Sequence, residues 1–352
     1  MSDESESRPL TRREAREAGD TGETELPAEA GVELTPSGSS PAIRDQFRAA
    51  RDGFEQQVTQ ARGHFDQANE RIKERTGRNL ILAILIGVAC GVGLLASLLF
   101  IKELFIPIAM AIALLATYEL ARALRAAGRR VDIVPQLIAC AILVPIGYFA
   151  ASWLSWIMLI AVVVFIAVWR MIAQMVAKDG RVYGRVVADV AISCLIPVYV
   201  AFLTSIALML LAQPRGELWV LGFIIVATAT DIFAYAFGLM LGKHPMAPRI
   251  SPKKTWEGFS GGVIGAAAAG VLLGLYLLGI PWWGGLLLGI AVLASATIGD
   301  LAESMLKRDL GIKDMSSWLP GHGGVLDRLD SILPSTVPAF ALYTLLTPWM
   351  VL

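Results

Sequence analysis

Carboxylates interrupt two of the long apolar runs of this chain. Asp231 lies within one run, and Asp300 and Glu303 lie near the end of another. Asp327 and Asp330 follow, and their spacing of three residues places them on one face of a helix. A carboxylate at the centre of a membrane costs roughly 2.5–3.5 kcal/mol on insertion scales, so these side chains must face protein, water or a cation.

Basic residues accompany these carboxylates in two polar segments, residues 243–258 and residues 303–330. Magnesium prefers carboxylate oxygens and usually keeps waters and substrate phosphates in its coordination shell, while lysine and arginine bind phosphate oxygens. The pattern therefore predicts phosphoryl or nucleotidyl transfer on a membrane-bound substrate. The candidate phosphate-binding side chains are Arg249, Lys253, Lys254, Lys307, Arg308, Lys313, His322 and Arg328.

The composition of the chain indicates that membrane helices position these residues. Of its 352 residues, 55% are apolar and 17% are charged, whereas a soluble domain is roughly 45–50% apolar and about 25% charged. After Arg78 the apolar runs each approach the ~20 residues that a helix needs to cross a bilayer. We expect an all-α polytopic membrane protein with about nine transmembrane helices. The predicted spans are 79–101, 104–121, 133–150, 153–169, 186–212, 217–241, 259–280, 282–302 and 331–351.

The basic residues between the spans predict the orientation of the helices. With the N-terminus in the cytosol, the inside loops carry sixteen lysines and arginines, and the outside loops carry two, Lys102 and Arg215. This imbalance fits the positive-inside rule and predicts an outside C-terminus. Counted from the outer ends of their spans, Asp231 lies about 21 Å and Asp300 about 27 Å into a hydrocarbon core of about 30 Å. We therefore expect a polar active-site cavity that faces the cytosol.

Four segments follow from these patterns. Residues 1–41 form an acidic tail with few large apolar side chains, which predicts disorder. Residues 42–78 predict an amphipathic juxtamembrane helix, because apolar residues recur every three or four positions. Residues 79–212 form the N-terminal and middle transmembrane helices, and residues 213–352 form the catalytic transmembrane region. The formal net charge of zero is not that of a nucleic-acid-binding protein, so we expect no nucleic-acid partner.

The two polar segments resemble the phosphatidate cytidylyltransferase family, also called CDP-diacylglycerol synthases. The matching residues are Ser304, Leu306, Lys307, Arg308, Lys313, Asp314, Pro320, His322, Gly323, Gly324, Asp327, Arg328 and Asp330. The segment APRISPKKTWEG, residues 247–258, is also similar to the family. The resemblance extends from about Asp231 to Asp330, and it does not include residues 1–78.

The resemblance implies a reaction in which CTP and phosphatidate give CDP-diacylglycerol and pyrophosphate, catalysed by a homodimeric, multi-pass enzyme of the cell membrane that contacts membrane lipid. It also implies dependence on Mg²⁺ and a second cation, for which K⁺ is the candidate. Asp300 and Asp327 are then the metal ligands, and Asp231 and Asp330 bind the metal or support its ligands. Lys307, Arg308, Asp327 and Arg328 form the expected catalytic set.

Two other functions fit parts of the pattern. An ion-coupled transporter also buries carboxylates in a helix bundle, although its sites are expected near the midplane on broken helices within repeated halves. A membrane scaffold that acts through the N-terminal tail would not need Asp300 or Asp327. Each of the three functions predicts a different response to removal of these carboxylates.

Overall fold

A computed structural model describes residues 80–177, 180–312, 314–316 and 323–350. The predicted tail at 1–41 and the predicted juxtamembrane helix at 42–78 lie outside the described residues. Within the described residues, helices and turns make up the chain apart from one two-stranded hairpin, and six helical segments are long and apolar enough to cross a membrane. The chain is therefore an all-α polytopic membrane protein with one small β-element.

Ten α-helices occur in the described residues, some of them joined by 3₁₀ or π turns. They are α1 (Leu80–Phe100), α2 (Phe105–Ala126), α3 (Ile133–Phe149), α4 (Ser152–Ala177), α5 (Tyr183–Ile196), α6 (Leu203–Leu211), α7 (Gly216–Leu241), α8 (Trp256–Leu273), α9 (Trp282–Asp309) and α10 (Ile332–Leu346). A π-helical turn, Pro197–Phe202, joins α5 to α6, so that the two form one continuous segment. Each predicted span overlaps one of these helical segments.

Three of the predicted spans correspond to helices outside the group of six. Helix α3 has 17 residues and α10 has 15, which are fewer than the ~20 that a perpendicular crossing needs. Helix α1, Leu80–Phe100, has 21 residues, which matches the length of a crossing. The sequence therefore predicted the positions of the helices, whereas a count of nine crossings depends on how the two short helices, α3 and α10, meet the bilayer.

Helix α4 is longer than its predicted span, which ended at residue 169. It continues to Ala177, and Arg170 lies within it rather than in a cytosolic loop. The guanidinium of Arg170 is buried and donates to Asp132 Oδ2 at 3.3 Å and to Gln174 Oε1 at 2.7 Å. These partners bind the two terminal nitrogens of the buried guanidinium, so the helix need not end where the apolar run ends.

Helix α9 is also longer than predicted, because it ends at Asp309 rather than at residue 302. Glu303, Lys307 and Arg308, which the sequence placed in a loop, therefore lie in its final turns. Positive charge is favoured at the C-terminal end of a helix by the helix dipole. The extension gives these side chains fixed directions relative to Asp300, which precedes them on the same helix.

The centre of the bundle is α6, which is buried along almost its whole length and packs against α3, α7 and α10. Helix α4 lies at the periphery and exposes large apolar side chains such as Trp156, Ile160 and Val164. A soluble protein rarely exposes an apolar face of this size. In a bilayer these side chains contact lipid tails.

Glycines allow α8 and α9 to pack backbone against backbone. Gly270 lies in α8 and Gly274 begins the π-helical turn that follows it, whereas Gly285 and Gly289 lie in α9, so the two pairs have the same spacing of four residues. A Cβ atom on Gly270 would overlap the carbonyl oxygen of Gly285, and one on Gly285 would overlap the carbonyl oxygen of Gly270. Small residues permit such close approach in membranes, where dispersion contacts rather than the hydrophobic effect hold helices together. This contact fixes α9, and therefore Asp300, relative to α8.

We predict that Gly285→Ala destabilises the protein by about 1–3 kcal/mol, because the added methyl group forces α8 and α9 apart. Thermal melting of the detergent-solubilised protein would show a lower Tm. The matched control is Gly91→Ala, a helical glycine of α1 whose added Cβ would meet no atom within 4 Å. Equal Tm values for the two variants would contradict the packing argument.

Candidate active site

A β-hairpin between α7 and α8 brings basic residues to the end of α9. Strand β1 (Pro245–Ala247) pairs antiparallel with β2 (Ser251–Thr255), and Thr255 caps α8 by accepting a hydrogen bond from the Gly258 N–H at 3.1 Å. The Glu257 carboxylate accepts hydrogen bonds from the N–H groups of Lys243 and His244 at 3.1 and 3.2 Å. These contacts fix both ends of the hairpin. The all-α prediction did not include it, because strands of three and five residues next to prolines give no clear period-two pattern.

Adjacent lysines on β2 have different surroundings. Lys254 forms an ion pair with Asp300 of α9, whereas Lys253 is exposed. Successive side chains of a strand point to opposite faces, so only one of two neighbours can face the carboxylate. Ser304 also donates to Asp300, at 3.3 Å. The hairpin and α9 therefore meet through Lys254 and Asp300.

A second lysine lies between two carboxylates. Lys307 Nζ lies 3.3 Å from Glu303 Oε2 and 3.1 Å from Asp327 Oδ1. The Glu303 side chain is 0% exposed and the Lys307 side chain is 16% exposed, so water screens this group of charges little. Glu303 and Lys307 are four residues apart on one helix face, whereas Asp327 comes from the segment that follows. Glu303 was recognisable in the sequence as a carboxylate near the end of an apolar run, but it was not among the predicted site residues.

Asp327 organises the segment that carries it. Its carboxylate accepts hydrogen bonds from the N–H groups of Gly324 at 2.8 Å and Met315 at 3.1 Å, in addition to the bond from Lys307. Although burial opposes ionisation, the Gly324 hydrogen bond and the Lys307 ammonium hold the pKa of Asp327 below its ordinary value. Asp327 therefore remains an anion at neutral pH and fixes residues 314–316 against residues 323–328.

Further carboxylates lie close to this pair. Asp330 adjoins Glu303 and Asp300, and burial together with the neighbouring charge of Asp300 raises the pKa of Asp330 above its ordinary value. Asp231 of α7 lies within range of the charges of Asp300, Asp330 and Lys254. The structure thus brings together all four carboxylates that the sequence assigned to metal binding, with Glu303 as a fifth.

Two residues near the site gave no recognised signal in the sequence. Tyr199, on the π-helical turn, has a buried hydroxyl with no hydrogen-bond partner among the described residues, and it lies near Glu303 and Asp330. Glu119 of α2 is 1% exposed and contacts residues 316 and 326. A carboxylate within an early apolar run was the one available signal for Glu119, and its partners lie about 200 positions away in the sequence.

The remaining predicted phosphate-binding residues lie at the rim or outside the described residues. Arg249 is exposed in the hairpin turn, and Arg328 is exposed in the 3₁₀ turn Leu326–Arg328. Arg308 Nε donates to the Ile250 carbonyl at 3.2 Å, which joins the end of α9 to the hairpin. Lys313 and His322 lie outside the described residues.

The donor chemistry of the cluster fits a hard cation. Carboxylates outnumber ammonium groups five to two in the set formed by Asp231, Asp300, Glu303, Asp327, Asp330, Lys254 and Lys307. Neither oxygen of Glu303 has a well-aligned hydrogen-bond donor within the described part of the chain. No three potential ligands among the described residues converge closely enough to hold a metal ion as they stand. The lysines contact Asp300, Glu303 and Asp327 instead.

A cavity of about 280 Å³ adjoins the same segment. It is lined by residues of α2, including Glu119 and Arg122, and by Leu310, Ile312 and residues 314–316. None of the five clustered carboxylates lines it. Its wall includes Met315, whose backbone N–H donates a hydrogen bond to Asp327. Met315 therefore separates the cavity from the cluster of carboxylates.

The known proteins that resemble this chain share one activity. A model of the cytidylyltransferase family matches residues 81–346. A phosphatidate cytidylyltransferase of Mycobacterium bovis is 39% identical over 285 residues, which cover 77% of this chain and 90% of the relative. One of Mycobacterium leprae is 36% identical over 288 residues, with the same coverage of 77% and 90%. One of Brucella abortus is 42% identical over 129 residues, 37% of this chain and 48% of the relative.

We predict that Lys307→Met destabilises the protein by about 3 kcal/mol, because it removes the ammonium group that binds both Asp327 and the buried Glu303. Thermal melting would detect the loss, and adding Glu303→Gln to the variant should restore part of it. Lys253→Met is the control, because this lysine of β2 is exposed. A fall in Tm as large for Lys253→Met as for Lys307→Met would contradict the role of the buried charges.

Proposed function

Since the chain belongs to the cytidylyltransferase family, we propose that it is a phosphatidate cytidylyltransferase, which converts CTP and phosphatidate to CDP-diacylglycerol and pyrophosphate. The observation that carries the proposal is the cluster of carboxylates and lysines within the family-matched residues. Transfer of a nucleotidyl group between phosphates requires positioning and charge neutralisation more than proton transfer. The cluster offers both.

In the proposed reaction a phosphate oxygen of phosphatidate attacks the α-phosphorus of CTP. The bond from that phosphorus to the bridging oxygen of the β-phosphate breaks, and pyrophosphate leaves. A phosphate monoester is already ionised near neutral pH, so the reaction needs no general base. Lys254, Lys307, Arg308 and Arg328 would bind phosphate oxygens, with Lys254 and Lys307 exchanging their carboxylate partners for phosphate.

We assign Mg²⁺ to Asp300 and Asp327, with Asp231 and Asp330 as further ligands or their supports. Magnesium bound there would neutralise charge on the phosphates and on the pyrophosphate leaving group. Hard carboxylate oxygens suit this ion. The excess of carboxylates over lysines leaves room for a second cation, for which K⁺ remains the candidate. The proximity of Glu303 to Asp327 and Asp330 makes it a further candidate for cation binding.

The proposed topology has nine crossings in the cell membrane, a cytosolic N-terminus and an outside C-terminus. The imbalance of sixteen to two between the basic residues at the inside and outside ends of the predicted spans supports it. The site then faces the cytosol at headgroup level, where CTP arrives from water and phosphatidate presents its phosphate. The acyl chains can remain among the apolar helices. A homodimer, as the family resemblance implies, completes the proposal.

We predict that the purified protein incorporates labelled CTP into lipid when phosphatidate and Mg²⁺ are present, and that chelation of Mg²⁺ abolishes the activity. Asp300→Asn and Asp327→Asn should each lower kcat/KM by about 100-fold or more, because charge stabilisation at the reacting phosphates is lost. The measurement is the yield of CDP-diacylglycerol and pyrophosphate by variants whose Tm shows that they are folded.

The matched control is Asp309→Asn, which makes the same substitution at an exposed position of the same helix. It should retain wild-type activity. An inactive wild-type protein across nucleotides and lipids would overturn the proposal and favour a transporter or a scaffold. Ion flux that depends on Asp300 in proteoliposomes would then identify the transporter.

A further inference from the structure

The geometry points to Glu119 as a positioning residue that ties the Asp327 segment, residues 314–316 and 323–328, to α2. By doing so it sets the affinity of the site for its divalent cation. The inference rests on the proposed function, because it concerns the same site. Glu119 lies in the N-terminal half of the bundle, in a helix that contributes none of the clustered carboxylates. Its role would therefore be to hold the site in place rather than to contact the reacting groups.

The Glu119 carboxylate binds one residue in each of the two stretches that Asp327 joins, residues 314–316 and residues 323–328. Ser316 Oγ donates a short hydrogen bond to Oε1, and the Leu326 N–H donates to Oε2 at 3.0 Å. These partners lie 197 and 207 positions from Glu119 in the sequence. The residue is 1% exposed, so the two hydrogen bonds form without competition from water.

Glu119 and Asp327 hold the same stretch of backbone from two directions. A Cβ atom on Gly324 would lie 3.0 Å from Glu119 Oε2 and 3.1 Å from Asp327 Oδ2. Asp327 binds the N–H groups of Gly324 and Met315, and Glu119 binds Ser316 and Leu326, which neighbour those residues. The position of the Asp327 carboxylate relative to α9 therefore depends on the attachment of this backbone to α2.

Substitutions that change either the length or the charge of the Glu119 side chain distinguish a positioning role from an electrostatic one. Glu119→Gln keeps the length, and its amide oxygen can accept from the Leu326 N–H while its NH₂ group donates to Ser316 Oγ. Glu119→Asp keeps the negative charge but shortens the side chain by one methylene, so that it cannot reach both partners. A tether tolerates glutamine better than aspartate, whereas an electrostatic role requires the opposite order.

The experiment measures two quantities on the full chain in detergent with phosphatidate. The first is the Mg²⁺ concentration that gives half-maximal activity. The second is amide hydrogen exchange in peptides that cover residues 314–328. We expect Glu119→Asp to raise the Mg²⁺ constant about tenfold or more and to accelerate exchange in these peptides, because a charge-assisted hydrogen bond is lost. Glu119→Gln should show a smaller change in both quantities.

The control is Asp189→Asn, which alters another fully buried carboxylate of the N-terminal half, one that pairs with Arg181 rather than with the Asp327 segment. It should lower Tm and leave the Mg²⁺ constant unchanged. A larger shift for Glu119→Gln than for Glu119→Asp would overturn the tether, as would a fall in Tm for Glu119→Asp without faster exchange at residues 314–328. Absence of activity in the wild type would instead contradict the proposed function, and the exchange measurement would still test the tether.

Discussion

The requirement that buried carboxylates be matched by positive charge organises the described site. Five carboxylates from α7, α9 and the segment that precedes α10 lie together in a bundle whose surroundings are apolar. Removing such charges from water is costly unless ions or hydrogen-bond donors compensate them. Lys254 on the hairpin and Lys307 on α9 supply this compensation for Asp300, Glu303 and Asp327. The hairpin and the C-terminal extension of α9 are thus the elements that make the cluster possible.

The same compensation accounts for how the site could exchange ligands. A lysine that neutralises a carboxylate can bind a phosphate oxygen once a cation replaces it on the carboxylate. The net charge of the site would then be similar with and without substrates, although each lysine and each carboxylate would have a different partner in the two states. The backbone of residues 314–316 and 323–328 would take no part in this exchange, because Asp327 and Glu119 hold it from two sides. Rigid packing of α8 against α9 through Gly270 and Gly285 fixes the other side of the site.

Much of the site was predictable from residue types. The cost of a carboxylate in an apolar run identified Asp231 and Asp300, and the three-residue spacing of Asp327 and Asp330 beside the basic segments identified the other two. The structure brings these four together. It also separates residues that the sequence treated alike: Lys254 contacts Asp300 and its neighbour Lys253 is exposed, because consecutive side chains of a strand face opposite ways. Strand pairing could not be inferred from a proline-rich loop.

The sequence by itself determined that this is a polytopic helical membrane protein, because apolar runs near 20 residues have few other stable conformations in a bilayer. It also identified the carboxylates that the structure brings together, since the cost of burying a carboxylate is local to each residue. Only the tertiary structure decided which helix ends extend beyond the apolar runs and which distant residues support the site. Glu119 shows the reason: its hydrogen bonds cross about 200 positions of sequence, and no local pattern records a contact that arises from the packing of α2 against the far end of the chain.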